Sequence, residues 1–258
     1  MKKISLLVVA CSMGLAVQAQ VIDPLTGSLA GYTPTLVLDN SSGAGRGVSF
    51  SDSASGLQAN YVGTGTTAEQ ALFLAPVSSF STLFAVGDRL TVNVAVPASS
   101  TTMDFGLAVA ATATPTAAGS GNGYNSRPTF DWASVSVRPS QGSVRGGDSV
   151  SGTVTTSFST GAAANTVSQL FIDWTSADVF NLGYIDTSAV QHNLYTATFA
   201  GTSTIGTAIG FYSDMRATGT SLSYFSNLTI QPIPEPTAMA LCGLGGFLGL
   251  VGWMRRKT

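Results

Sequence analysis

Leu90-Thr91-Val92-Asn93-Val94-Ala95-Val96 is the stretch that decides the fold class. In an extended chain successive side chains point to opposite faces, so Leu90, Val92, Val94 and Val96 line one side, and Thr91, Asn93 and Ala95 line the other. Gly87-Asp88 supplies a turn before it, and Pro97, which has no amide hydrogen for a ladder, stops it. The same period of two recurs in Phe105, Leu107 and Val109, in Leu170, Ile172 and Trp174, and in Tyr195, Ala197 and Phe199. Shorter candidate strands are Leu36–Leu38, Val48–Phe50, Leu57–Tyr61, Ala71–Leu74, Trp132–Val137, Val150–Phe158, Ile209–Tyr212 and Leu222–Ile230. Clusters of Gly, Ser, Asn and Asp separate them. No stretch between Gln20 and Gln231 carries a helical stripe. Short strands without intervening helices indicate an all-β chain, an antiparallel sandwich of jelly-roll type, with Val92, Val94, Phe105, Leu107, Ile172, Trp174, Phe199 and Phe211 in its core. Thr suits the solvent face of such a sheet, and Ser and Gly suit its turns.

Charge narrows the function classes. The 258 residues hold 11 Lys or Arg and 13 Asp or Glu, for a net charge of -2. Between Gln20 and Gln231 the only cations are six Arg, against twelve acids. Nucleic acid is therefore not expected as a partner, since phosphate recognition needs clustered cations. Both Cys residues, Cys11 and Cys242, fall in terminal apolar segments, so the middle of the chain has no disulfide, thiol nucleophile or Cys-ligated metal. With a single His, His192, no zinc or copper site is expected, and no Asp-rich calcium loop is present. No cofactor is expected.

Residues 1–19 have the layout of a secretory signal peptide. Lys2 and Lys3 are its basic start, Ile4–Val17 its apolar run, and Val17-Gln18-Ala19 its small-residue cleavage site, which places the cut between Ala19 and Gln20. Residues 20–231 are then one domain. Residues 232–258 form a third unit. Pro232-Ile233-Pro234-Glu235-Pro236 refuses helix, because each Pro fixes its own φ and biases its predecessor to extended geometry. Ala238–Met254 follows with no charge, then the basic end Arg255-Arg256-Lys257. Seventeen residues of helix span roughly 25 Å, the low end of what crosses a bilayer. The basic end would stay cytoplasmic and the domain would lie outside.

That tail resembles the PEP-CTERM sorting signal of Gram-negative bacteria. Pro234-Glu235-Pro236 matches the motif, the 238–254 helix and the Arg255 and Arg256 cluster follow in order, and Ile233 stands where Val is commoner. The resemblance implies an exported precursor anchored in the inner membrane. An exosortase would then process it to the cell surface or extracellular matrix, in association with exopolysaccharide. The order of strands in the middle is similar to concanavalin-like lectin and glucanase jelly rolls, on Val86-Gly87-Asp88-Arg89-Leu90, Phe105-Gly106-Leu107 and Tyr224–Ile230. This second resemblance implies a fold and carries no site residues.

Residue types argue against catalysis. Sandwich glucanases use paired Glu, and residues 20–231 contain only Glu69. The remaining carboxylate pairs are Asp173 with Asp178 and Asp131 with Asp148. A Ser–His–Asp hydrolase would need His192, with Asp186 six residues before it, but no Gly-x-Ser-x-Gly elbow presents a nucleophile. Gln191-His192-Asn193 reads as a polar loop. Gly119-Ser120-Gly121-Asn122-Gly123 reads as an exposed loop without the Lys and helix of a phosphate site. Tyr124, Asn125 and Arg127 with Asp131 and Trp132 have the composition of a sugar-binding edge, Trp132 being either a stacking platform or a packed core aromatic. The expectation is a non-catalytic surface protein, with a carbohydrate-binding module on the same scaffold as the alternative.

Overall fold

A computed structural model describes residues 19–27, 29, 31–32, 36–37, 47–62, 69–95, 103–111, 131–139, 142–150, 153–159, 164–200, 208–215, 219–220 and 224–234. The signal segment up to Gln18, the tail from Glu235 onward, Val96, residues 119–123, and Tyr124, Asn125 and Arg127 lie outside them. The described residues are all-β. Sixteen strands run in chain order: β1 (Gln20–Asp23), β2 (Leu36–Val37), β3 (Gly47–Ser53), β4 (Gly56–Val62), β5 (Glu69–Pro76), β6 (Asp88–Ala95), β7 (Met103–Ala110), β8 (Trp132–Arg138), β9 (Ser143–Val150), β10 (Thr153–Ser159), β11 (Val167–Ser176), β12 (Val179–Asp186), β13 (Gln191–Thr198), β14 (Ala208–Met215), β15 (Gly219–Thr220) and β16 (Tyr224–Pro232). Single 3-10 turns at Val77–Ser79 and Ala164–Thr166 are brief interruptions. Among the described residues no helix is long and apolar enough to cross a membrane.

The strands make two antiparallel sheets. The first follows the order β13-β12-β11-β6-β16-β4-β15, with β1 added to β16 and β3 to β4. The second follows β10-β9-β8-β7-β14-β5-β2. Consecutive strands often change sheet, as from β5 to β6, β6 to β7, β10 to β11 and β13 to β14, and this crossing sews the two layers together. One apolar core fills the space between them. Leu90, Val92 and Val94 of β6 and Leu170 and Ile172 of β11 come from the first sheet; Leu107 and Val109 of β7 and Phe211 of β14 come from the second. Aromatic rings fill its centre: Phe105 lies 4.1 Å from Phe225, and Phe73 stacks between Tyr32 at 4.9 Å and Phe50 at 4.6 Å. Pairs of this kind each contribute about 0.5–1.5 kcal/mol beyond their burial. Seven of the eight core residues expected from the alternation are buried. Trp174 is half-buried, packed on Phe84 and Phe180 at the end of β11.

Two expectations need correction, and two strands lie outside the expected set. Residues 150–158, read as one strand, divide between β9 and β10. The body of β9, Ser143–Val150, escaped notice because Arg145, Gly146, Gly147 and Asp148 break its apolar alternation. β12 was overlooked although Phe180, Leu182 and Tyr184 alternate. Gln191-His192-Asn193 is no loop but the opening of β13, paired with Ile185, Tyr184 and Gly183.

Register also locates the two ends of the domain. β1 runs antiparallel to β16 with Gln20 opposite Ile230, and the Ile233 amide donates to the Gly87 carbonyl at 2.8 Å. The first residue of the expected mature chain and the last residues before the tail thus sit at one end of the sandwich.

Candidate functional site

The outer face of the first sheet carries a connected polar arrangement. Its floor is built by register: Asn193, Gly183, Phe171, Thr91 and Thr229 lie in one row across β13, β12, β11, β6 and β16. Gly183 has a physical reason to be Gly. A Cβ there would stand 2.5 Å from the Phe171 ring and 2.2 Å from the His192 carbonyl, so only a bare backbone lets that ring lie across the sheet. The Arg89 guanidinium then rests on the Phe171 face, 4.2 Å from the ring centre. Asp173 grips it from the neighbouring strand, with Nε at 2.6 Å and Nη2 at 2.8 Å, and Nη1 donates to Gln191 at 2.9 Å. Arg89 and Asp173 are 3% and 4% exposed.

Around this buried pair runs a set of amides and hydroxyls. Gln191 donates to Asn193 and Gln169 donates to Asn93, each at 2.8 Å, and Thr196 donates to Asn181 at 2.6 Å. Gln191, Asn193 and Thr196 are exposed. Such a face offers paired donors and acceptors in a plane and holds no uncompensated charge, which suits a neutral, hydroxyl-rich ligand better than an ionic one.

The Asp173, Asp104 and Asp131 carboxylates are each held by a cation or an amide. Asp173, one half of an expected acid pair, belongs to Arg89. Asp178 lies in the turn after β11, where its carbonyl accepts from the Phe199 amide. On the outer face of the second sheet Asp104 accepts from Arg138 through both oxygens and from Arg145 at 3.3 Å. Asp148 is buried, and with burial it pushes the Tyr195 hydroxyl well above its usual range. Asp131 accepts the Ala200 amide at 2.6 Å and so ties the end of β13 to the start of β8.

His192 does meet Asp186, six residues earlier, with Nε2 2.9 Å from Oδ2. Its ring stacks on Tyr184 at 4.5 Å. The His192 contact holds the Asp186 carboxyl below its ordinary range, helped by the amides of Val190 and Ser188. Burial, with Asp186 nearby, raises Tyr184. Ser168 donates to the carbonyls of Ile185 and Asp186. The dyad is thus a clasp on the β12–β13 turn.

Trp132, read as either platform or core, is packed: it is 2% exposed and stacks on Tyr212 at 5.5 Å. It belongs to a second apolar cluster with Leu72, Leu74, Ala108, Ala110 and Ala208, on the face of the second sheet turned away from the main core. Of the expected sorting motif, Pro234 is described and exposed, and Ala19 and Gln20, at the expected cleavage site, are exposed as well. Sequence reasoning missed the Arg89–Asp173–Gln191 arrangement. The signal available was an Arg at an outward position of an otherwise apolar strand.

No protein-family model matches the chain, and no curated protein matches it in sequence. Among solved structures it is similar to a protein of unknown function from Shewanella oneidensis MR-1, at 17% identity over 80% of this chain and 88% of that one, with a TM-score of 0.39. It is similar to a carbohydrate-binding module from Bacillus subtilis, at 13% identity over 78% and 95%, with a TM-score of 0.39. A third is arcelin-5, a lectin-like defense protein from Phaseolus vulgaris, at 10% identity over 83% and 97%, with a TM-score of 0.42. Likenesses at this level carry no argument about function, which rests on the residues of this chain.

Proposed function

We propose that this chain is an exported, non-catalytic β-sandwich protein of the cell surface or extracellular matrix. A signal peptide delivers it, an exosortase-type enzyme processes it at Pro234-Glu235-Pro236, and it works in association with exopolysaccharide. The observation that carries the proposal is the ordered tail: the Pro-Glu-Pro motif, the uncharged 238–254 segment and the cluster Arg255, Arg256 and Lys257. The shared exit of both termini supports it. With Gln20 opposite Ile230, a domain held by a tail in the membrane would also have its signal-peptidase site facing that membrane. The non-catalytic part of the proposal is supported by carboxylates already engaged by Arg89, Arg138 and Arg145, and by a His192 clasped to Asp186. Mass spectrometry of surface material is the test. Chains should start at Gln20 and end near Pro236, and Glu235→Ala should accumulate full-length protein in the membrane. Equal retention of the intact tail in wild type and variant, in a cell that has the enzyme, refutes the sorting step.

The amide and hydroxyl face around Gln191, Asn193 and Thr196 favours a second reading, in which the domain itself binds a neutral glycan. Pull-down of the mature domain with purified exopolysaccharide separates the two. Retention that is lost in Gln191→Ala with Asn193→Ala supports binding by this face, and no retention leaves a scaffold.

A further inference from the structure

We infer that the end of the sandwich from which both termini leave is a lipid-docking surface, seated on the outer leaflet of the membrane that holds residues 238–254. The inference rests on the tail being membrane-inserted and adds a partner for the domain itself. Its main ground is where the exposed apolar side chains fall. Four large apolar residues are exposed among the described ones: Leu83 at 65%, Val86 at 53%, Val21 at 50% and Val190 at 50%. Three of these four gather around the exit.

The bonds that place them are specific. Val86 is at the tip of the Ala85–Asp88 turn, closed by the Asp88 amide on the Ala85 carbonyl at 3.0 Å. Gly87, the next residue, has φ +96, a conformation open to Gly, and its carbonyl is the acceptor for Ile233. Leu83 follows Ser81 and Thr82, whose hydroxyls bond the side chain of Gln20. Val21 is the next residue of β1. Val190 lies on the β12–β13 turn at the opposite end of the same strands, which makes it an internal control.

Chain length brings this end to the bilayer. Five residue steps separate Ile233 from Ala238, a reach of at most about 18 Å fully extended and about 15 Å in polyproline geometry. The headgroup layer takes about 5–8 Å of that on each side of the hydrocarbon, so the exit cannot stand more than roughly 13 Å clear of the lipid. Charge says which lipid contact is available. At this end the described charges are Asp88, Asp131, Asp178 and the closed Arg89–Asp173 pair, so none of the described groups is a free cation to seek anionic headgroups. The contact the described residues offer is apolar, and a zwitterionic surface suffices.

The test uses the chain from Gln20 to Thr258 with Cys242→Ser, carrying one nitroxide at Leu83→Cys or at Val190→Cys, in phosphatidylcholine nanodiscs. Both positions are exposed, so the labels leave the core intact. Collisions with oxygen, which concentrates in lipid, are compared with collisions with a water-soluble nickel chelate. At position 83 oxygen should exceed nickel several-fold, and at 190 the order should reverse. A position 83 as wet as position 190, in chains that resist carbonate extraction, overturns the docking while leaving the membrane tail standing. Chains released by carbonate refute the tail itself, and the docking falls with it. Protection of position 83 only in membranes containing the processing enzyme would name a protein partner instead, and also overturns the lipid contact.

Discussion

Replacing Asp173 with Asn removes the anionic half of a pair in which Arg89 is 3% exposed and Asp173 4%. The guanidinium keeps its bond to Gln191 and its seat on Phe171, but two charge-assisted bonds of 2.6 and 2.8 Å go, and the shape stays almost unchanged. What remains is a buried cation without a counter-ion. Breaking such a pair from one side costs about 3–5 kcal/mol. For a domain of this size 1 kcal/mol moves the melting temperature by about 2–4 °C, so Asp173→Asn should lower it by roughly 6–20 °C. Removing both charges should restore much of the loss, because well-packed apolar replacements of a buried pair are often neutral. Urea unfolding of wild type, Asp173→Leu, Arg89→Met and Arg89→Met with Asp173→Leu forms the cycle, with Asp173→Asn measured beside it. A loss under about 1 kcal/mol for Asp173→Asn, or a coupling energy near zero, would mean that water reaches Arg89 and that the pair is a surface pair in effect.

Three further outcomes follow from particular contacts. Gly183→Ala should destabilise by about 1–3 kcal/mol in urea unfolding, since its Cβ would meet the His192 carbonyl at 2.2 Å and the Phe171 ring must shift. Trp132→Ala should cost about 3–5 kcal/mol as a large-to-small change in a packed cluster, seen as a lowered urea midpoint; unchanged stability with lost glycan retention would instead make it a surface platform. Asp186 is held below its ordinary value of 3.8 chiefly by His192, so its carboxylate stabilises the fold above about that pH and the contribution fades as pH falls through the lowered folded value. In His192→Gln the urea midpoint should therefore be less sensitive to acidification below that pH than in wild type; identical pH profiles would show that the clasp contributes nothing.

The alternation of Leu90, Val92 and Val94 was enough to assign the fold class and the core, because a period of two is a local property that each strand displays whatever its neighbours are. β12 displays it as well, in Phe180, Leu182 and Tyr184, and β9 does not, because its inward positions after Val144 hold Gly146 and Asp148, opposite Val135 and Ala133. The address proposed for the two ends is local in the same sense: a signal peptide and a Pro234-Glu235-Pro236 tail are expectations read along the chain. What no local pattern contained was partnership. Arg89 and Asp173 are 84 residues apart, and Gln20 and Ile230 are about as distant as the domain allows. Only the order of strands brings β6 beside β11 and β1 beside β16. Trp132 makes the same point: its neighbours in sequence allowed it to be exposed or packed, and the decision fell to Tyr212, which β14 carries two strands away. Whether a side chain on the outer face of a sheet is a surface or a second core depends on what lies against it, and the tertiary structure alone supplies that.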